Sequence, residues 1–299
     1  CSGHSKNLKF GAADIGGVYY SFASTFTQLA DKEIDGYTFE TKTTAGSVAN
    51  LRLISDGYID LAIVQADLLS DAYNATGTFA DKKYQKGYKA VASLYTECCQ
   101  IVVRKDSGIT GIDDLINKTV SVGASESGSE KNAEQILKMS GITDELINKV
   151  NMDYTEAAEK LKAGEIDAFF CTAGTRTEVI GQLSKECDIC LISLDDKCID
   201  KMLSAYSLCE KYTIPAGTYN GQDSDVTTIG VKAVLIAKQS LSDDVIKNVT
   251  KTIYEHADDF KYATSLDISF DINTVVDGVD IPFHSGAAAY YTERGINVL

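Results

Sequence analysis

Apolar residues along the chain follow two different periods, and their alternation predicts strands interleaved with helices. Short apolar runs such as 58-YIDLAIV-64 and 166-IDAFFCT-172 are typical of buried β-strands. Segments with a period near 3.6 residues, such as 18–31 and 129–140, are typical of amphipathic helices. The predicted strands are 8–13, 37–43, 58–64, 89–95, 100–105, 118–124, 149–153 and 166–172, and the predicted helices are 18–31, 47–57, 129–140 and 155–163. This order predicts an α/β fold.

Part of this order occurs twice in the sequence. The stretch 11-GAADIG-16 matches 123-GASESG-128, and 57-GYIDLAIVQA-66 matches 164-GEIDAFFCTA-173. Both pairs are separated by nearly the same number of residues. Single matches of this kind are common among α/β units, but their shared order and spacing predict two similar lobes, each a twisted mixed sheet flanked by helices.

The glycine-rich turns in both copies indicate where a ligand would bind. Open α/β sheets bind ligands beyond the carboxyl ends of their strands, where loops lead into helices. Backbone N–H groups at a helix N-terminus carry roughly half a positive charge and suit a carboxylate or phosphate. Two such lobes facing each other predict a ligand cleft between the lobes that holds a small anion or zwitterion.

Composition and charge limit the class of protein. The 299 residues carry a formal charge of −15, from 28 basic and 43 acidic side chains. Nucleic acids require a basic surface and anionic membranes repel an acidic one, so neither partner is expected. With 44% hydrophobic residues and only Pro215 and Pro282, the sequence predicts a folded protein whose lobes share strands rather than a proline-rich tether. No apolar run approaches the roughly 20 residues that span a bilayer.

The motifs of common enzyme classes are missing from the sequence. The turn 11-GAADIGG-17 lacks the G-x-G-x-x-G spacing of dinucleotide-binding loops, and no G-x-x-x-x-G-K-[ST] motif occurs. Nucleophilic catalysis needs a base, which is usually histidine. His4 lies in a predicted tail, His256 in a charged helical run and His284 in a late turn. We therefore expect a binding protein without catalytic residues, cofactor or metal ion.

The eight cysteines are open to several interpretations. Cys1 followed by Ser-Gly resembles the mature start of a bacterial lipoprotein, in which the cysteine carries the lipid; a cloning remnant is the alternative. The seven other cysteines are an odd number, so they cannot all pair with one another. Cys187 and Cys190 have metal-ligand spacing and lie near Cys198 and Cys209. Free thiols or one disulfide are preferred to a zinc site, because the second pair lacks a matching short spacing.

Stretches spread over nearly the whole chain match a single family. They are 16-GGVYY-20, 44-TAGSVANLRLI-54, 59-IDLAIVQAD-67, 93-SLYTE-97, 101-IVVRKDSGI-109, 121-SVGASESGSE-130, 166-IDAFFCTAGT-175, 213-TIPAGTYNGQDSDV-226 and 281-IPFHSGAAAYYTERGI-296. On these stretches the chain resembles the TAXI family of TRAP-transporter solute-binding proteins. The resemblance implies a two-lobed type II periplasmic-binding-protein fold. It also implies capture of an organic solute, such as glutamate or a related dicarboxylate or amino acid, and its delivery to TRAP-type membrane permease subunits.

The family's fold implies that the chain crosses between the lobes twice, so that lobe one contains both termini. We place the crossings near 102–106 and 228–236, where long strands are predicted. The expected division is a tether at 1–6, lobe one at 7–103 plus 232–299, and lobe two at 104–231. The expected location is extracytoplasmic, in the periplasm or on the outer face of the cytoplasmic membrane, with anchoring through a Cys1 lipid.

The resemblance also implies a set of ligand-binding residues from both lobes. Lobe one would supply Gly17, Val18, Tyr19, Ser47, Asn50, Gln65, Asp67 and Tyr95. Lobe two would supply Ser125, Ser127, Gly128, Ser129, Thr172, Ala173 and Gly174. Their hydroxyl, amide and backbone N–H groups can hold a carboxylate. An alternative role for Ser47 is that of a helix N-cap.

Three residues depart from the family's usual pattern in and after the glycine-rich turns. The hypothesis is that Asp14 and Glu126 bind an ammonium group of the ligand and that Arg176 binds a carboxylate. In the alternative, the two acidic residues cap their own helices and Arg176 points to solvent.

Two other functions stay open on the sequence alone. The same fold can report a ligand to a receptor instead of feeding a transporter. It can also carry an enzyme, which the missing nucleophile and base disfavour.

Overall fold

A computed structural model describes residues 6–81, 87–266 and 270–298. Cys1 and its predicted lipid, as well as His4, lie outside the described residues. Within the described ranges, no helix combines the length and the apolar character that crossing a membrane requires.

Regular elements cover most of the described chain. In chain order they are β1 (Lys6–Gly11), α1 (Val18–Glu33), β2 (Tyr37–Lys42), α2 (Ser47–Ser55), β3 (Leu61–Gln65), α3 (Ala66–Asn74), β4 (Tyr88–Arg104), β5 (Thr119–Ser121), α4 (Gly128–Met139), β6 (Asn148–Val150), α5 (Tyr154–Lys162), β7 (Ala168–Ala173), α6 (Glu178–Glu186), β8 (Ile189–Leu191), α7 (Asp196–Ala205), β9 (Glu210–Ile214), β10 (Val226–Lys238), α8 (Asp243–Glu255), α9 (Ala257–Thr264) and α10 (Ser285–Thr292). Single 3₁₀ turns lie at 77–79, 105–107, 112–115 and 272–274.

The described residues form two compact units. Unit one takes the described residues of 1–15, 19–95 and 232–299, and unit two takes 16–18 and 96–231. Apart from residues 16–18, the chain therefore passes from unit one to unit two within β4 and returns within β10.

The sheet of unit one has the strand order β2-β1-β3-β10. Strand β1 pairs in parallel with both β2 and β3, whereas β10 pairs antiparallel with β3, placing Ala233 opposite Gln65. Because β1 and β3 run in the same direction, their carboxyl ends lie at the same edge of the sheet, and α1 and α3 follow at that edge.

Unit two repeats this arrangement in the order β6-β5-β7-β4. Strand β5 pairs in parallel with β6 and β7, and β4 pairs antiparallel with β7. The short strands β8 and β9 are added by antiparallel pairing to β4 and β10. The predicted α/β fold, with mixed sheets flanked by helices, is confirmed.

Residues matched in the sequence repeat make equivalent hydrogen bonds and adopt equivalent backbone conformations in both units. Asp60 accepts a hydrogen bond from the backbone N–H of Lys9 at 2.8 Å, and Asp167 accepts one from Thr119 at 2.9 Å. Each aspartate thus ties the start of one strand to a neighbouring parallel strand, β3 to β1 in unit one and β7 to β5 in unit two. Gly57 and Gly164 both have positive φ, at 86° and 77°, which glycine adopts without strain.

The central strand differs from its prediction. The segments 89–95 and 100–105 are parts of one 17-residue strand, β4. The polar pair Thr96 and Glu97 interrupts the apolar pattern, but the backbone stays extended and pairs with β7 from Cys98 onward. The strand predicted at 118–124 is shorter, because Gly123 adopts φ +97° and turns the chain.

An aromatic core holds α1 in unit one. Phe22 and Phe26 of α1 face Phe10 of β1, with ring centroids 6.5 and 5.5 Å away. Phe22 also stacks on Phe260 of α9 at 4.4 Å. All four rings are fully buried, and the burial of each contributes about 1.5–3 kcal/mol. This packing fixes α1 against the strand that ends at the first glycine-rich turn.

The seven cysteines in the described part of the chain are free thiols. Cys98, Cys99, Cys171 and Cys198 are buried, and the rest are half-buried. Among the described residues, no group of three or more His, Cys, Asp or Glu side chains is placed to hold a metal ion.

Candidate functional site

In unit one, a serine hydroxyl joins two predicted ligand-binding positions. Ser47 is the first residue of α2, and its Oγ accepts a hydrogen bond from the backbone N–H of Gln65 at 3.0 Å. The hydroxyl of Tyr19, the second residue of α1, lies 3.4 Å from the same Oγ. The N-cap of α2 is Gly46, so the alternative role of Ser47 as an N-cap is wrong.

Asn50 connects the ends of the first and third strands. Its Nδ2 donates to the carbonyl oxygens of Ala12 and Ile63 at 2.7 and 3.0 Å, and its Oδ1 accepts from Thr44 at 2.7 Å. The side chain is fully buried and uses its donors and its acceptor inside unit one. Asn50 therefore positions the turn after β1.

The tight packing near Asn50 explains a glycine at the end of β1. A Cβ at Gly11 would lie 2.5 Å from Cδ1 of Ile59 and 3.1 Å from Oδ1 of Asn50. No side chain fits there.

The remaining predicted positions of unit one differ in exposure. Gln65 is 1% exposed, and its Oε1 has no hydrogen-bond partner among the described residues. Asp67, half-buried in the first turn of α3, accepts from the N–H of Leu68 at 2.9 Å. Tyr95 is buried on β4. Asp14 is half-buried in the turn after β1.

In unit two, two hydroxyl groups close a ring with the backbone of Thr172. The N–H of Thr172 donates to Oγ of Ser129 at 2.8 Å, and the hydroxyl of Tyr154 donates to the carbonyl of Thr172 at 3.2 Å. Ser129 and Tyr154 are also hydrogen-bonded to each other. The ring closes when Ser129 donates to Tyr154, so every proton has an acceptor.

The surroundings of Tyr154 favour its neutral form. Burial of the hydroxyl raises its pKa well above the usual value, and the Cys171 thiol and the Glu97 carboxylate act in the same direction. The phenol therefore remains a donor at neutral pH. Sequence reasoning missed Tyr154, and it missed Glu97 although that residue ends one of the matching stretches; Glu97 is 2% exposed.

The hydrogen-bonding positions of the two units correspond to one another. Tyr19 and Ser129 are the second residues of the first helix in each unit, and Ser47 and Tyr154 are the first residues of the second helix. Gln65 and Thr172 occupy the same place in the sequence repeat. Tyrosine and serine are thus exchanged between the two helix starts. In both units, however, it is the serine that accepts the hydrogen bond from the backbone N–H of the strand residue, Gln65 or Thr172.

The turn before α4 places its predicted residues differently. Ser127 is the N-cap of α4, and its Oγ accepts from the N–H of Glu130 at 3.1 Å. Gly128 and Ser129 are buried, whereas Ser125 is exposed. Because Ser127 caps the helix, the alternative in which Glu126 is the cap is wrong; Glu126 is half-buried, with φ +66°.

A polar network fixes the loop after β7, where Ala173 and Gly174 are buried and Arg176 is exposed. Thr177 donates from Oγ1 to the carbonyl of Gly174 at 2.8 Å and accepts from Nε2 of Gln100 at 2.9 Å. Tyr219 accepts from the N–H of Thr177 at 3.0 Å and donates to Oε1 of Gln100.

Gln100 and Thr177 were not predicted from the sequence, and neither was a role for Tyr219. The only available signal was that Tyr219 lies within a stretch that resembles the TAXI family.

Comparison with models of protein families identifies the family of this chain. The model of the NMT1-like family matches residues 10–295. The chain belongs to the NMT1-like family. The match includes every predicted ligand-binding position in both units.

Solved structures with similar folds are binding proteins and transporter components. A putative L-cystine ABC transporter from Listeria monocytogenes is 14% identical, with a TM-score of 0.55, over 87% of this chain and 94% of that one. The periplasmic binding protein BugD is 11% identical, with a TM-score of 0.57, over 86% and 85%. An ancestral arginine-binding protein bound to arginine is 15% identical, with a TM-score of 0.53, over 88% and 98%. The NMT1-like chain thus has the type II periplasmic-binding-protein fold.

Proposed function

We propose that this NMT1-like chain is an extracytoplasmic solute-binding protein that captures a small organic anion or amino acid. The solute class is a glutamate-like or related carboxylate, held by closure of the two lobes, and the partners are the membrane subunits of a TRAP-type transporter. The fold supports the binding role, as do the structural neighbours that are named for arginine and L-cystine. The stretches that resemble the TAXI family favour TRAP delivery, and a lipid on Cys1 would anchor the protein.

One observation carries the proposal: the same hydroxyl and backbone arrangement lies at the carboxyl end of β3 in unit one and of β7 in unit two. In each unit, a serine hydroxyl fixes the N–H of that strand end, and a tyrosine hydroxyl bonds to the serine. Helices begin at the same edge, and their first N–H groups favour a carboxylate. An arrangement repeated in this way suits binding of a small polar solute.

The two described histidines have structural contacts, which supports a role without catalysis. His284 is buried and caps α10 by accepting from the N–H of Gly286 at 3.1 Å. His256 is hydrogen-bonded to Glu33 and Asp259 at a partly exposed site. We therefore propose that the protein returns its solute unchanged.

Thermal-shift screening tests the proposed function. Purified protein is mixed with amino acids, dicarboxylates, keto acids and sulfonates, and solutes released on denaturation are identified by mass spectrometry. Ligand at 100 times its Kd adds about 2.7 kcal/mol of stability, which raises the melting temperature by about 5 °C or more. Recovery of the solute in altered form would contradict the non-enzymatic role. A protein that neither shifts with any compound nor releases a solute would contradict the binding role.

A further inference from the structure

Gln65 presents a buried acceptor that the described protein leaves unused. Its backbone N–H is bonded to Ser47 at 3.0 Å, so the main chain at this position is satisfied. Its side chain is not: Oε1 is enclosed and has no hydrogen-bond partner among the described residues, although the whole residue is only 1% exposed. A buried polar atom without a partner opposes folding, because it has lost its bonds to water.

The equivalent position of unit two also carries a buried polar side chain. Thr172 is 3% exposed, and its backbone N–H is held by Ser129 at 2.8 Å. Its Oγ1 is buried, and it bonds only weakly to the thiol of Cys99, which lies opposite it on the paired strand. Both copies of the repeat therefore keep a buried polar side chain at this point; the one in unit one has no partner for its oxygen among the described residues, and the one in unit two has only a weak partner, the Cys99 thiol. A purely structural position would be filled more favourably by an apolar side chain.

We propose that Gln65 recognises a hydrogen-bond donor on the solute, and that the solute therefore carries an ammonium or amide N–H group. The inference deepens the proposed function and rests on it. An amide oxygen can only accept hydrogen bonds. Ionised dicarboxylates and sulfonates are acceptors only, so they leave Oε1 unsatisfied, whereas an amino acid supplies the missing donor. The favoured solute class is thus the amino acids and amino sulfonates.

Matched pairs of compounds that differ by one amino group test the assignment. The probes are L-glutamate with glutarate, L-alanine with propionate, and taurine with ethanesulfonate, titrated by calorimetry into the wild type, Gln65→Glu and Gln65→Met. In at least one pair, the wild-type protein should bind the compound with the amino group about tenfold or more tightly than the compound without it. Gln65→Glu retains the acceptor and should keep the preference. The methionine in Gln65→Met has a similar shape but no acceptor, so this variant should lose the preference for the amino compound.

The melting temperature of the free protein separates recognition from a structural role. Gln65→Met removes a buried polar group without a partner, so its ligand-free melting temperature should equal or exceed that of the wild type. Gln239→Met, an exposed change in the same unit, is the matched control. A lower melting temperature of free Gln65→Met overturns the assignment, and so does equal affinity of wild-type protein for both members of every pair that binds. Failure of all six probes to bind also overturns the assignment to amino acids and amino sulfonates, whereas a thermal shift with another compound of the screen would leave the proposed binding function standing.

Discussion

At the scale of single residues, the ring formed by Ser129, Tyr154 and the backbone of Thr172 brings two helix starts and one strand end together. Its members lie 43, 25 and 18 residues apart in sequence. Ser129 was predicted because it lies in the stretch 121–130 that resembles the TAXI family, but Tyr154 was not predicted. A tyrosine that follows an N-cap aspartate has no local pattern that reveals a distant backbone partner.

Removal of the Tyr154 hydroxyl should destabilise unit two. In Tyr154→Phe, Ser129 loses its acceptor and the carbonyl of Thr172 loses its donor, so we expect the free energy of unfolding to fall by about 1–3 kcal/mol. Chemical denaturation followed by circular dichroism measures the change. Tyr58→Phe is the control, because Tyr58 is 66% exposed. Equal stability of the two variants would show that the ring contributes nothing.

The loop after β7 also shows why sequence reasoning reached only part of the site. Gln100 bonds to Thr177, 77 residues away, and to Tyr219, 119 residues away. Ala173 and Gly174 were predicted from the resemblance to the TAXI family, since they lie in the matching stretch 166–175. The side chains that hold them come from distant strands and loops, and no spacing rule connects such residues.

At the scale of elements, the start of α10 depends on an uncharged histidine. His284 is 2% exposed; its Nδ1 accepts from Gly286, and its Nε2 donates to the carbonyl of Leu241 at 3.0 Å. Only the neutral ring can do both. Burial lowers the pKa of His284 below its usual 6.5, and the nearby positive charge of Lys89 acts in the same direction, while Asp243, 3.8 Å from Nδ1, opposes the shift.

Acid should therefore weaken this cap. The unfolded chain takes up a proton near pH 6.5 and the folded chain only at lower pH, so the contribution of His284 is complete above pH 6.5 and is lost as the pH falls through the window below it. The loss is at most about 1.4 kcal/mol per pH unit. His284→Asn keeps an acceptor for Gly286 but does not titrate. Urea denaturation between pH 7.5 and about 5 should show stability falling more in the wild type than in the variant; parallel curves would refute the cap's dependence on pH.

Apart from β8 and β9, the strands followed from apolar periodicity, because their buried faces dictate the pattern. Among the helices, α1, α2, α4 and α5 followed in the same way, whereas α3, α6, α7, α8 and α10 were not predicted. The matched glycines and aspartates also behave as the repeat predicted, since each satisfies the same turn or strand contact in its own unit. The short strands β8 and β9 were missed. They have three and five residues, many of them polar or half-buried, and they exist because longer strands provide pairing partners.

At the scale of the whole molecule, the proposed capture mechanism predicts a change of shape on binding. A solute that contacts both units favours a closed state over an open one. We expect a saturating concentration of a solute found by thermal shift to reduce the radius of gyration in small-angle X-ray scattering. A compound of similar size that gives no thermal shift serves as the control. Unchanged scattering at saturation would contradict closure as the mechanism.

The exchange of tyrosine and serine between the two units has an evolutionary consequence. If both units descend from one ancestral copy, one of them reached its present pair by changing two positions. A single change leaves two serines or two tyrosines, and neither pair keeps the combination of a short and a long hydroxyl side chain that forms the contact in both units. In each unit of related chains, the two helix starts should therefore carry tyrosine and serine, in either order, and rarely two serines or two tyrosines. An alignment of the family would then show the two positions as a correlated pair.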